Sequence, residues 1–241
     1  METSQPHHKR FCTRGHEVSM PSPTPPTRVG RPRAEGAPEN GDAPREQILK
    51  AAAELFITHG FTATTTRAIA EAVGIRQATL YYHFAGKEEI LHELLNVSLH
   101  PGIEIARRIE AAVPTELSPA AALHALATID ARTLAETKLN LAFLWLLPEV
   151  QSAQYAHFHE EGREIERVFA RLGSRAQQAP AKYNLSEEQL GAVLIHISEL
   201  ITLLRRSGPP IDPGYVKVVG VTCLRACGLG EKAIRDAITE S

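Results

Sequence analysis

The sequence predicts an all-α protein: a small N-terminal three-helix unit followed by a larger helical domain. Three observations carry that reading. Apolar residues recur at helical spacing from residue 44 to the end of the 241-residue chain. Helix-starting signatures such as "SPAAALHAL" (118–126) and "SEEQ" (186–189) precede several of these stripes. There are no alternating strand patterns, no Gly-rich phosphate loop and no repeat at a fixed period.

Taken in order, residues 1–43 carry seven of the sixteen prolines with almost no apolar periodicity, so a disordered tail is expected. Met1 and Met20 are both possible starts. Within the tail, "RVGRPR" (28–33) resembles the core of an AT-hook suited to a narrow A·T-rich minor groove, but the favoured reading is a basic linker that keeps the tail soluble. A first helix is expected over about 44–58, with Asp42 as cap, Pro44 in the first turn, and a stripe of Ile48, Leu49, Ala52, Leu55 and Phe56. Gly60 supplies the stop. A second helix spans about 65–72, capped by Thr64 or Thr65 and closed by Gly74, and a third about 76–82. A fourth begins near Lys87 and is kinked or ended by "HPG" at 100–102.

Further on, Ser118 and Pro119 open another helix. "TKLNLAFLWLL" (137–147) is apolar nearly all round and is expected to be buried. A long helix carries Tyr155, Phe158, Ile165, Val168, Phe169 and Leu172 and is expected to end at Gly173. Ser186 and Gln189 form a capping box for a helix with Leu190, Val193, Leu194, Ile197, Ile201 and Leu204. Residues 212–227 are β-branched, but a lone strand would have no partner, so a helix is expected there too. "EKAIRDAI" (231–238) is a last short amphipathic helix.

A net charge of −2 excludes a protein that wraps nucleic acid with its whole surface. Three cysteines, Cys12, Cys223 and Cys227, read as reduced thiols. The longest apolar run, 139–147, is about half of the ~20 residues a membrane span needs, and no signal-peptide core is present. A soluble, cytoplasmic protein without cofactor is expected.

The functional signal is "TTTRAIAEAVGIRQATLYYHFAGKEEIL" (64–91). Two short helices joined through Gly74 fit a helix-turn-helix, whose second helix enters the major groove. Arg76 presents paired donors suited to guanine, and Gln77 suits adenine. Thr79 can meet a thymine methyl or a phosphate. Tyr81, His83 and Lys87 are placed for backbone phosphates, while Thr65, Thr66 and Arg67 stand at a helix N-terminus that favours anions. Ala78, Leu80 and Phe84 are left to pack against the first helix. Residues 44–92 hold five basic and five acidic side chains, so affinity would depend on placement rather than on net charge.

Residues 44–91 closely resemble the DNA-binding domain of TetR-family transcriptional regulators, on the marks "AAAELFITHGF", "IAEAVGI" and "TLYYHFAGKEEIL". The resemblance covers about a fifth of the chain; beyond residue 100 only the all-helical layout is shared. It implies a DNA-binding domain at 44–91 and an effector-binding and dimerisation domain at 92–241. Repression of a palindromic operator, relieved by ligand, is the behaviour it implies.

Helices within 186–227 are apolar over more than one face, which suits a homodimer bundle. Phe143, Trp145, Tyr155, Phe158 and His159, with His196 and Glu199, are the candidate lining for a largely apolar small-molecule effector. "HFHEE" (157–161) spaces His157 and Glu161 as metal ligands are spaced, but no third ligand is evident. A metal-responsive regulator, using these or Cys223, is the alternative, as is an architectural DNA binder without effector. No motif with a catalytic mechanism appears, so no enzyme activity and no resident metal are expected.

Overall fold

The protein is seen here as a computed structural model that describes residues 43–113, 115–137, 141–177, 185–207 and 211–241, without the side chains of 206 and 207. The expectations for the tail, including "RVGRPR" and the Asp42 cap, lie outside the described residues. Among those residues the regular structure is helical throughout: α1 (Pro44–His59), α2 (Thr66–Val73), α3 (Gln77–His83), α4 (Lys87–Ala111), α5 (Pro119–Glu136), α6 (Ala156–Ala176), α7 (Glu187–Ser207), α8 (Pro213–Ala226) and α9 (Glu231–Glu240). Two 3-10 segments, Leu141–Leu146 and Ala153–Tyr155, lie between α5 and α6.

Capping chemistry explains several starts. The Thr65 hydroxyl accepts from the Ala68 N–H at 3.1 Å, opening α2. Ser118 does the same for Ala121 at 3.2 Å, opening α5. At α7 the Ser186 hydroxyl accepts from the Gln189 N–H, and the Gln189 amide oxygen returns the favour to the Ser186 N–H at 3.0 Å.

Three readings are corrected and a fourth holds. Pro101 does not end the fourth helix: α4 runs through it to Ala111. Its buried residues Ile90, Leu91, Leu94, Leu95, Leu99, Ile103 and Ala106 form one continuous stripe, and that packing outweighs the lost backbone bond. Gly173 does not stop the sixth helix either. It is buried inside α6, where a Cβ would stand 2.6 Å from Leu194 Cδ1, so its smallness serves helix contact rather than termination. The apolar run before Pro148 is not a buried helix. Residues 138–140 lie outside the described residues, and the part that follows is a 3-10 segment in which only Leu144 is buried and Leu146 is 64% exposed. Residues 212–227 form the expected helix, α8, which Asp212 opens: its carboxylate accepts from the Gly214 N–H at 2.7 Å.

Two apolar clusters hold the molecule together. The first joins α1, α2 and α3 to the N-terminal part of α4 and includes Phe56, Phe61, Ile69, Leu80, Phe84, Ile90 and Leu91. It extends to Leu144, Val150, Tyr155 and Phe158, so the segment between α5 and α6 packs with the N-terminal helices. The second is built from α5, α6, α7, α8 and α9 around Leu123, Leu126, Phe169, Leu172, Leu194 and Leu224. Helix α4 contributes to both, through Leu99 and Ile103 to the first and Ala106 to the second. Salt links reinforce its two ends. Arg45 of α1 pairs with Glu93, and Arg171 of α6 pairs with Glu110 at 2.6 and 2.8 Å. The Arg171 guanidinium holds the Glu110 carboxyl below the usual carboxylate range.

Candidate nucleic-acid interface and sensor region

Gly74, with φ of 76°, adopts the left-handed conformation that closes α2, and the Ile75 N–H donates back to the Ala70 carbonyl at 2.9 Å. The chain then turns straight into α3. Leu80 and Phe84 are buried, which fixes the inward side of that helix. Ala78, expected to pack inward with them, is exposed instead. It lies two residues before Leu80, on the opposite face.

The outward side of α3 holds Arg76, Gln77, Thr79, Tyr81 and Tyr82, all exposed. Three of the expected contact residues form a mesh between α2 and α3. The Gln77 amide donates to the Thr66 hydroxyl at 3.0 Å, and Thr66 and Tyr81 hydroxyls meet at 3.2 Å. This mesh fixes the two helices relative to each other and orients the Tyr81 ring. Tyr82 was not among the expected contacts, yet its ring is 85% exposed. The signal was available: two residues past buried Leu80, a helical side chain must point away from the core. His83 is half-buried, its ring meeting Tyr82 edge-on at 5.2 Å.

Other expected contacts are engaged within the chain. Arg67 is paired with Glu71 at 2.8 Å on the surface of α2, where solvent makes such a pair weak and easily exchanged. The Thr65 hydroxyl is used by its cap. The Lys87 ammonium donates to the carbonyl oxygens of Phe61, Thr62 and Thr64 at 2.8, 3.2 and 3.0 Å and sits 4.5 Å from the Phe61 ring centre. Lys87 therefore clasps the α1–α2 loop in this structure.

Of the seven residues expected to line an effector site, the structure brings four together. Tyr155 and Phe158 are buried with rings stacked at 6.3 Å, and the Trp145 ring meets Phe158 and His159 edge-on at 6.4 and 5.5 Å. The indole N–H of Trp145 donates to the Ser98 hydroxyl of α4 at 3.2 Å, and His159 bonds the Val150 carbonyl at 3.0 Å. Burial pushes the Tyr155 phenol up. These side chains fill the joint between α4 and α6. Phe143 is half-buried on the 3-10 segment beside them. His196 and Glu199 are not part of this group: both are exposed on α7, 3.9 Å apart. The helical periodicity of α7 puts them beside exposed Val193, Leu200 and Leu203 rather than in an interior.

His157 and Glu161 also part company. His157 lies against His92 and Phe158, whereas Glu161 meets His100 at 3.4 Å. Among the described residues no group of three or more His, Cys, Asp or Glu side chains converges on a metal position. Among them, too, no helix is long and apolar enough to cross a membrane.

Residues 48–94 match the family model described as bacterial regulatory proteins, tetR family. The chain is 49% identical over 51 residues to the HTH-type transcriptional repressor KstR2 of Mycobacterium tuberculosis. That match spans 21% of the chain and 26% of KstR2, so it covers only about a quarter of that relative's length. Staphylococcus aureus QacR, an HTH-type transcriptional regulator, is 43% identical over 53 residues, 22% of this chain and 28% of QacR. Along most of its length the chain is similar to the solved structure of Mycobacterium smegmatis AmtR: 32% identity, 83% of this chain, 94% of AmtR and a TM-score of 0.72. The KstR2 structure itself shares the fold, with a TM-score of 0.59 at 20% identity over 80% of this chain and 97% of that one.

Proposed function

This chain belongs to the TetR family of bacterial regulators, and from that membership we propose that it is a repressor that binds palindromic operator DNA as a homodimer and is released by a small, largely apolar effector. The observation that carries the reading is the outward face of α3. The seven-residue helix exposes Gln77, Thr79, Tyr81 and Tyr82, with Arg76 exposed at its cap, while burying only Leu80. Such a surface has no use in a core and matches what base edges and phosphates require. Arg76 and Gln77 stand at its N-terminal end, where a recognition helix meets bases.

Dimerisation draws support from α7 and α8. Val193, Leu200 and Leu203 on α7, with Tyr215 and Val218 on α8, are apolar and largely uncovered, the last three 57%, 50% and 59% exposed. A single helix-turn-helix reads too little DNA for specificity, and a two-fold pair places the half-sites ~34 Å apart. Paired α7 and α8 helices would cover this surface as a four-helix bundle. The domain assignment, DNA-reading over 44–91 and sensing with dimerisation over 92–241, follows from the same reading. Effector release would work through α4, which contributes to both apolar clusters; a ligand preferring one packing of the Trp145–Phe158 joint would shift α4 only by its differential affinity. The close packing of Tyr155 and Phe158 favours a second reading, a DNA binder that needs no effector.

The experiment is fluorescence anisotropy on the duplex upstream of the protein's own coding region. Arg76→Ala should lose discrimination between operator and scrambled duplex, by about 1–3 kcal/mol or roughly 5- to 150-fold. Tyr81→Ala should weaken both duplexes together. Wild-type binding by both variants would mean that α3 is not the recognition helix.

A further inference from the structure

The turn after the first 3-10 segment carries Glu149, whose carboxylate accepts a hydrogen bond from the Thr62 hydroxyl across 87 residues of sequence. Thr62 lies in the loop between α1 and α2, three residues before the Thr65 cap. That loop is gripped from another side by Lys87, which bonds the carbonyls of Phe61, Thr62 and Thr64. Beneath the contact, Leu144 and Val150 are fully buried in the same apolar cluster as Phe56 and Phe61. The segment that bears Glu149 is therefore anchored on the N-terminal unit, and the hydroxyl bond fastens its tip to the loop that sets where α2 begins. The Thr62 bond, and more weakly the charge of Lys87, hold the Glu149 carboxyl below its usual range. Its second oxygen is shut from solvent and meets no donor among the described residues, which leaves Thr62 as its main side-chain donor.

We propose that Glu149 is a positioning residue for DNA reading: by holding Thr62 it sets the placement of the α2 N-terminus, and so of the Thr66–Gln77–Tyr81 mesh. This gives the segment 141–155, which also bears Trp145 and Tyr155, a route to the recognition unit that bypasses α4. The inference rests on the DNA-binding reading given above. One hydrogen bond of this kind is of the size of ordinary coupling between sites.

The test is a double-mutant cycle in the full chain, with two readouts. Operator affinity is measured by anisotropy for Glu149→Ala, Thr62→Ala and the pair, and amide hydrogen exchange is followed over residues 61–68 of the DNA-free protein. Each single variant should bind about 3- to 10-fold more weakly. The pair should be no worse than the weaker single, because one bond has been cut twice. Glu149→Gln keeps an acceptor for the Thr62 hydroxyl and should retain most of the affinity, which a merely charged or bulky role for Glu149 would not allow. Exchange over 61–68 should quicken in Glu149→Ala while α5 to α9 stay unchanged. Additive losses in the cycle, or unaltered exchange over 61–68, overturn the proposal. If the wild-type chain binds no upstream duplex, the regulator reading fails, and the exchange readout still decides the clasp.

Discussion

Gly191 lies where α7 crosses α6, and its replacement by alanine tests how closely the two helices approach. A Cβ at this position would stand 2.7 Å from the Ala170 Cβ and 2.8 Å from the Glu166 carbonyl oxygen. Non-bonded carbons prefer ~3.5–4.0 Å, so the new methyl is about 1 Å too close. The obstacle is largely backbone, which cannot rotate aside, so the helices themselves must part. Overpacking of this kind costs ~1–3 kcal/mol. Against it stands the gain of about 1 kcal/mol for removing glycine from a helix interior. Gly191→Ala should therefore destabilise by up to about 2 kcal/mol. The control is Gly162 in α6, whose added Cβ would meet Leu99 Cδ1 at an ordinary 3.6 Å. There the propensity gain should appear alone, raising stability by ~0.5–1 kcal/mol. At ~2–4 °C per kcal/mol for a chain of this size, thermal unfolding by circular dichroism at one protein concentration separates the two variants in sign. Equal stabilisation by both would refute the close crossing of α6 and α7.

Asp130 of α5 is a second probe. Burial, with the negative Glu199 adding to it, pushes its carboxyl from 3.8 up to about 7. The folded state then holds a proton that the unfolded chain releases between those values, so this group's stability contribution falls as pH rises through that window. Asp130→Asn should flatten the decline between pH 5 and pH 8 by about 3 kcal/mol at most, since roughly two units of the shift lie in that window at ~1.36 each. Equal destabilisation at both pH values, read from melting temperatures, would count against the raised carboxyl. Burial also pushes the Cys223 and Cys227 thiols up to about 12. In a Cys12→Ser background neither should react with an aromatic disulfide reagent until the protein unfolds; rapid native labelling would show that α8 is not packed as described.

The N-terminal helices were legible because each carries its own punctuation: Thr65 as cap, Gly74 as left-handed stop, and a stripe from Ile48 to Phe56. Local chemistry suffices when an element is bounded by residues that act on their own backbone. Pro101 and Gly173 misled for the opposite reason. Both are local breakers whose cost is met by distant partners, the stripe from Ile90 to Ala106 in one case and Leu190 with Leu194 in the other. The outward face of α3 was readable as a set of residue types, since Leu80 and Phe84 define which side faces in. What each member does was not. The clasp by Lys87 and the hold of Glu149 on Thr62 join residues 23 to 87 positions apart, and no spacing rule encodes them. His196 and Glu199 looked like polar guests in an apolar helix; on α7 that helix is apolar partly on its outside.

Pro101 carries a mechanical consequence. Lacking an N–H, it leaves the Val97 carbonyl without its usual bond partner four residues on, midway along α4. The rod linking the two apolar clusters thus has one soft rung, between the turns bearing Leu95 and Ile103. Strain arriving at its C-terminal half is absorbed there first, as flexure, before it reaches the turns that brace α1. Bending is easier at that rung than in the turns on either side, so a displacement at one end of the rod reaches the other reduced in proportion.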